Sequence, residues 1–159
     1  MKNFICELKN LDIEKLLAEN SVIVGLDIGD KTIGIAVSDR RIKIASGITT
    51  VARNGSTKDF TKVKESVSRY KVGAIIFGWP VQMNGQPGPQ CEKILKFVEE
   101  LKNFFPDVPF SYWDERLSTC AVTQVLLKAD LSRKKRKKVV DKGASIYILQ
   151  GALDFLNRT

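Results

Sequence analysis

Residues 21–38 read SVIVGLDIGDKTIGIAVS, and the rest of the chain is organised around them. An apolar run from Val22 to Leu26 leads to Asp27, where the hydrophobic pattern has a buried strand ending. Gly29, Asp30 and Lys31 supply turn chemistry, Gly29 being free to take backbone angles that other residues avoid. A second apolar run, Ile33 to Val37, follows at once. The two runs predict a β-hairpin with a carboxylate at its inner edge. Taken alone, Asp27 could be a turn-capping residue. A carboxylate leaving water is costly unless a cation meets it, so its meaning depends on what the rest of the chain brings to the same edge.

Outward from the hairpin, Ile42 to Val51 reads as a third strand. A helix follows to Tyr70, capped by Ser56 or Thr57, with Phe60, Val63, Val67 and Tyr70 on one face. Val72 to Phe77 is a continuous apolar run, the mark of a central strand buried on both faces. The Gly/Pro-rich loop GWPVQMNGQPGP, Gly78 to Pro89, lacks the ending of a nucleotide P-loop. Next comes a helix with Ile94, Val98, Leu101 and Phe105 inward, then a strand from Val108 to Trp113. Leu117 to Ala129 reads as a further helix. RKKRKK, Arg133 to Lys138, is a run whose like charges favour mobility until a polyanion arrives. A last helix, Val139 to Leu156, carries the stripe Ala144, Tyr147, Ile148, Gly151, Ala152 and Phe155. Hairpin-joined strands followed by βα units imply an α/β fold, a mixed sheet with helices on its faces. Residues 1–20 read as an N-terminal extension, a short helix or a mobile tail, ahead of one domain over residues 21–159.

Composition narrows the chemistry. There is no histidine, which excludes a Ser-His-Asp triad, a Cys-His pair and histidine-ligated zinc. Cys6, Cys91 and Cys120 form no CxxC pair and read as inert thiols. A bound metal would need oxygen ligands, which favours magnesium or manganese. The balance of 26 Lys+Arg against 18 Asp+Glu, a net charge of +8, suits a nucleic-acid partner. No apolar run approaches membrane-spanning length and the N-terminus lacks a signal peptide's apolar core, so a cytoplasmic protein is expected.

Two more acids join Asp27. Asp114 and Glu115 follow the last strand directly, and neighbouring strand residues point to opposite faces, so only one of them can share a side with Asp27. Asp141 precedes Ala144 and Ile148 by three and seven residues, which places it in the first turn of the last helix on the core-facing side. An N-cap role is the plain alternative. Three carboxylates in one small site raise one another's pKa. A pair of divalent cations resolves the conflict, and such a pair hydrolyses phosphodiesters without histidine.

These residues resemble the YqgF family, described also as Holliday-junction resolvase-like proteins or pre-16S rRNA nucleases, of the ribonuclease H-like superfamily. The resemblance rests on GLDIGDKTIGIAVSD, GWPVQMNGQPGPQ, DERLST and the basic segment leading to VDKGASIYILQ. It runs from about Val22 to Leu156 and leaves the first 20 residues outside. It implies a ribonuclease H-like fold with a central five-stranded mixed sheet and helices on both faces. It implies catalytic, metal-holding acids at Asp27, Glu115 and Asp141, with Asp114 supporting them, and a suspected pair of Mg2+ or Mn2+ ions. The implied function is maturation of the 5′ end of 16S rRNA in ribosome biogenesis, with cleavage of branched DNA as the alternative. Candidate nucleic-acid contacts are Lys31, Arg116, Arg133, Lys134, Lys135, Arg136, Lys137 and Lys138; the expected assembly is a monomer or homodimer. Against the family pattern, Thr32 stands in place of a basic residue and Trp79 in place of Leu. Gly143 and Ser145 are expected to loosen the helix around Asp141.

Two rival readings remain. The hairpin also resembles the phosphate loop of actin-like and sugar-kinase ATPases, which close two such domains on ATP, and 159 residues hold one. A non-catalytic RNA-binding protein would explain the charge but not the placed acids, which repel phosphate unless metal is bound.

Overall fold

The computed structural model describes residues 3–55, 57–117 and 133–158, with side chains over 3–55, 57–116 and 143–158. The expected helix over Leu117 to Ala129 therefore falls almost wholly outside the described residues, as does Cys120. Five strands form one sheet: β1 (Val22–Ile28), β2 (Thr32–Ser38), β3 (Ala45–Ala52), β4 (Val72–Trp79) and β5 (Phe110–Asp114). Their order is β3-β2-β1-β4-β5. β1 to β3 pair antiparallel through short connections, while β4 and β5 run parallel to β1. This is the mixed sheet that hairpin-then-βα patterning predicts.

Side-chain alternation along β1 assigns the two faces. Val24, Leu26 and Ile28 join the core beneath α2 (Lys58–Ser66) and α3 (Pro89–Lys102), with Phe60, Val63, Ile94, Val98 and Leu101. Ile23 joins the opposite core, beneath the long helix α4 (Arg133–Arg158), with Ile148, Leu149, Ala152 and Leu153. Helices thus cover both faces. α4 crosses close over β1 because Gly25 has no side chain: a Cβ there would lie 2.6 Å from the Leu149 Cβ. The β4 centre, Ile75 to Phe77, is fully buried, each large side chain contributing about 2 kcal/mol by leaving water.

Several sequence expectations are corrected. The basic run is not a loop before the last helix but its first two turns, α4 beginning at Arg133. Asp141 consequently lies near the third turn, not the first, which removes the N-cap alternative. The buried stripe of α4 is Ser145, Ile148, Leu149, Ala152, Leu153 and Leu156, whereas Phe155 is 39% exposed. The expected stripe had the right period and was rotated by about one residue. The helix continues unbroken through Gly143 and Ser145. Ser145 is fully buried where α4 meets β1, so its small size permits close packing and does not loosen the helix. The third strand starts at Ala45, because Ile42 sits in a turn at φ 57°.

Residues 3–20 are packed onto the domain. Ile5 bridges Phe110 on the outer edge of β5, and the Cys6 amide donates to the Phe110 carbonyl at 2.9 Å. A short helix α1 (Ile13–Ala18) follows, its N-cap Asp12 accepting from the Lys15 amide. Leu11 and Leu16 enter the α4-side core. Cys91 is buried and Cys6 half-buried, and burial pushes both thiols up from the ordinary value, as expected of inert cysteines. Among the described residues no helix is long and apolar enough to cross a membrane.

Candidate active site

Asp27 lies within β1, opposite Gly34 of β2, two residues beyond Gly25. The alternation that turns Ile23 and Gly25 to α4 turns Asp27 to the same face. On the neighbouring strand, Ala74 and Ile76 face α4, and Gly78 continues that row at the C-terminal edge. β5 ends at Asp114, and Glu115 opens a 3-10 turn. That turn sends the Glu115 side chain back over Gly78. A Cβ on Gly78 would stand 2.0 Å from Glu115 Oε1 and 2.6 Å from Ile148 Cδ1. The missing side chain is therefore the space that admits the carboxylate.

Adjacent acids are treated in opposite ways. Asp114 receives Arg116, whose Nε donates at 2.8 Å and whose backbone amide donates at 3.0 Å. This contact holds the Asp114 carboxyl below its usual range. Glu115 is pushed up to about 7, first by burial, then by the negative charge of Asp27, then by that of Asp114.

Asp141 lies on α4 among the residues whose side chains are outside the description. It sits one turn before Ser145, which packs at Gly25, and two turns before Ile148, which packs at Gly78. Among the described residues no three acids, cysteines or histidines gather closely enough to hold a metal ion. The donor set still fits a hard cation. Asp27 and Glu115 offer carboxylate oxygens only, and the charge conflict at Glu115 is the kind a divalent ion relieves.

The candidate nucleic-acid contacts are spread more widely. Lys31 is exposed on the hairpin turn, its carbonyl accepting from the Arg53 amide at 2.8 Å. Arg116 is committed to Asp114 but 44% exposed. Arg133 to Lys138 form the start of α4. Sequence reading passed over Arg53, which donates to the Gly29 carbonyl at 2.6 Å. A lone arginine in a loop carries no local signal of that contact.

A mixed sheet of this order, with helices on both faces, defines a ribonuclease H-like fold. The chain belongs to the RuvX family, described as Holliday junction resolvase, whose model matches residues 21–155. A relative from Thermoanaerobacter pseudethanolicus is 52% identical over 133 residues, covering 83% of this chain and 95% of its own. One from Clostridium botulinum is 50% identical over 136 residues, covering 86% and 98%. Both carry the name "Putative pre-16S rRNA nuclease". Among solved structures, the fowlpox virus Holliday junction resolvase superposes with a TM-score of 0.52 at 16% identity. The match covers 85% of this chain and 99% of that one, and at that identity it speaks for the fold alone.

Proposed function

We propose that this nuclease hydrolyses phosphodiester bonds at a site formed by Asp27, Glu115 and Asp141, and that its substrate is the precursor of 16S rRNA near its 5′ end. The observation that carries the site is Glu115 lying over Gly78, buried and within the field of Asp27. A buried carboxylate within the field of a second one is an arrangement that concentrates at functional sites. The family implies divalent metal in general, and the oxygen-only donors favour Mg2+ or Mn2+. Asp27, Glu115 and Asp141 would hold such ions, which would supply activation of water and stabilisation of the leaving oxygen.

The residues themselves do the rest. Glu115 can keep a proton near neutral pH while the site lacks its cation, and gives it up when positive charge arrives. Asp27 is fixed by the β1–β2 ladder, so its carboxylate needs little ordering. Asp114 holds Arg116 at the rim, where the guanidinium can meet a phosphate. The basic turns of α4 lead to Asp141 and supply positive charge along the approach.

The RNA preference rests on the relatives' names. The family description favours a second substrate, branched DNA, and the two are separated directly. A precursor rRNA fragment and a four-way DNA junction are each incubated with magnesium, manganese or EDTA. Metal-dependent cleavage of the RNA with the junction intact is expected. Cleavage undiminished by excess EDTA would reject the site chemistry. The reading has the enzyme working in the cytoplasm as a monomer or homodimer.

A further inference from the structure

The hairpin turn has a second neighbour. On the side away from α4 a cleft of about 620 Å³ opens between the turn at Asp30, the loop after β3 and helix α3. Arg53, Lys93 and Lys96 line it, with Phe97 beneath. The Arg53 guanidinium lies 4.8 Å above the Phe97 ring centre. Its Nη1 holds the Gly29 carbonyl. Its Nε is buried without a hydrogen-bond partner, the Asp59 carboxylate standing 3.9 Å away, too far to accept.

Asp59 is already occupied. It is almost fully buried and accepts from the Asn54 and Gly55 amides at 2.9 and 3.0 Å. Asp30 meets Lys93 at 3.2 Å in a pair whose side chains are both 62% exposed, so water weakens it and a stronger anion can compete. Lys96 is exposed and no ion pair is formed by it among the described residues. Glu100 is the remaining acid of the wall. A guanidinium carries five N–H donors, and the fold spends one of Arg53's. A desolvated planar fork flanked by two ammonium groups suits a tetrahedral oxyanion.

The location gives that chemistry a purpose. Gly29 is two residues, roughly 7 Å, beyond Asp27 along the strand direction. A strand of nucleic acid bound across the acidic edge would have the cleft within about one nucleotide's reach of Asp27. We propose that this cleft is a phosphate subsite, in which Arg53, Lys93 and Lys96 hold a phosphate group beside the hairpin turn. That the phosphate belongs to a bound nucleic-acid strand rests on the nuclease reading.

The test uses full-length protein carrying Asp27→Asn, so that bound substrate stays intact. Lys96→Gln is the main variant, because it touches nothing in the turn; Arg53→Gln is the second. Affinity for single-stranded RNA and for a four-way DNA junction is read by fluorescence anisotropy across a salt series. Each variant should weaken binding by about 3- to 10-fold and flatten the log-log salt slope by ~0.7 on single strands or ~0.9 on duplex DNA. In parallel, inorganic phosphate should raise the melting temperature of the parent protein more than that of either variant. A phosphate response with unmoved nucleic-acid affinity would keep the subsite and assign it to a free anion. If Lys96→Gln and Arg53→Gln both bind nucleic acid and phosphate like the parent, the subsite is overturned. Should the wild-type protein cleave no nucleic acid, the nuclease reading falls instead, and the phosphate series still reports on the cleft.

Discussion

On the α4 side of the sheet edge, Glu115 fills the space left by Gly78 and feels the charge of Asp27. On the opposite side, a few ångströms along the same hairpin, Asp59 accepts two backbone amides and Arg53 lies between that carboxylate, the Gly29 carbonyl and the Phe97 ring. Both regions bury charge. In the second, Asp59 meets backbone donors of opposite polarity, as folding requires. In the first, a buried carboxylate lies within the field of another. Stability alone would not select two like charges at the edge of an apolar core, and electrostatic conflict of this kind concentrates where a ligand or ion is expected.

The largest effect that would break this contrast comes from removing the acids. Asp27→Asn, Glu115→Gln and Asp141→Asn each keep the side chain's shape and discard its charge. Each should reduce cleavage by at least ~1000-fold while the protein still melts cooperatively, and combining them should cost little more than one alone. Asp59→Asn, the control on the other face, should instead lower the melting temperature and spare turnover in the protein that remains folded. Full activity in Asp27→Asn would show that the α4 side is not the site.

Next in size is Gly78→Ala. The added methyl collides with the Glu115 carboxylate and with the tip of Ile148. Both are ends of side chains and can move, so the fold should survive with a loss of about 1–3 kcal/mol. Glu115 cannot move and still face Asp27, so cleavage should fall by roughly 100-fold, the scale of a small misplacement at a reacting centre. Gly25→Ala is the informative partner. Its methyl meets the Leu149 Cβ and the Ser145 carbonyl oxygen, which are rigid, so stability should suffer more than at Gly78. Equal losses of stability at both glycines would mean that the carboxylate over Gly78 is not mobile.

A smaller effect sharpens the electrostatics. Glu115 is raised from 4.5 in the unfolded chain to about 7 in the metal-free fold. Between those values the folded state binds more protons than the unfolded one, so stability falls as pH rises. The loss is at most about 3 kcal/mol, complete above neutrality and absent below pH ~4. Denaturant melts of metal-free protein across that range should show the slope, Glu115→Gln should remove it, and saturating magnesium should flatten it. A metal-free protein with a flat profile would mean that Glu115 and Asp27 do not share a field.

What the sequence disclosed follows the same division. The hairpin and the mixed character of the sheet were legible, because they depend on local pattern and on the period of a strand. The packed state of residues 3–20 was not, since Ile5 pairs with Phe110 across the whole domain. Nor was Arg53, whose partners Gly29, Asp59 and Phe97 converge only in the folded chain. The basic run misled for a physical reason. Six like charges resist helix formation in isolation, yet here they begin a helix whose buried half, from Ser145 to Leu156, is anchored on the sheet. Tertiary packing outweighs local repulsion.

That helical placement changes what the run should do, and gives the last prediction. In an extended loop all six cations could follow one phosphate backbone. On a helix at 100° per residue they are distributed around the axis. Lys134, Lys137 and Lys138 stand seven, four and three residues before Asp141, spacings that fall on one side of an ideal helix, whereas the spacings of Lys135 and Arg136 do not. Point charges on phosphate bind without reading bases. Replacing Lys134, Lys137 and Lys138 by Gln should weaken binding similarly across sequences and flatten the log-log salt slope by ~2 on single strands. Cleavage at saturating substrate should be unchanged, because the acids are untouched. Lys135→Gln with Arg136→Gln removes two charges and should change the slope by less than one contact's worth. If the two sets flatten the slope in proportion to charge removed, the α4 terminus acts as a diffuse cloud. If only the first set does, the substrate lies along the Asp141 side of the helix, and the acids of the α4 face and its cations serve one bound strand.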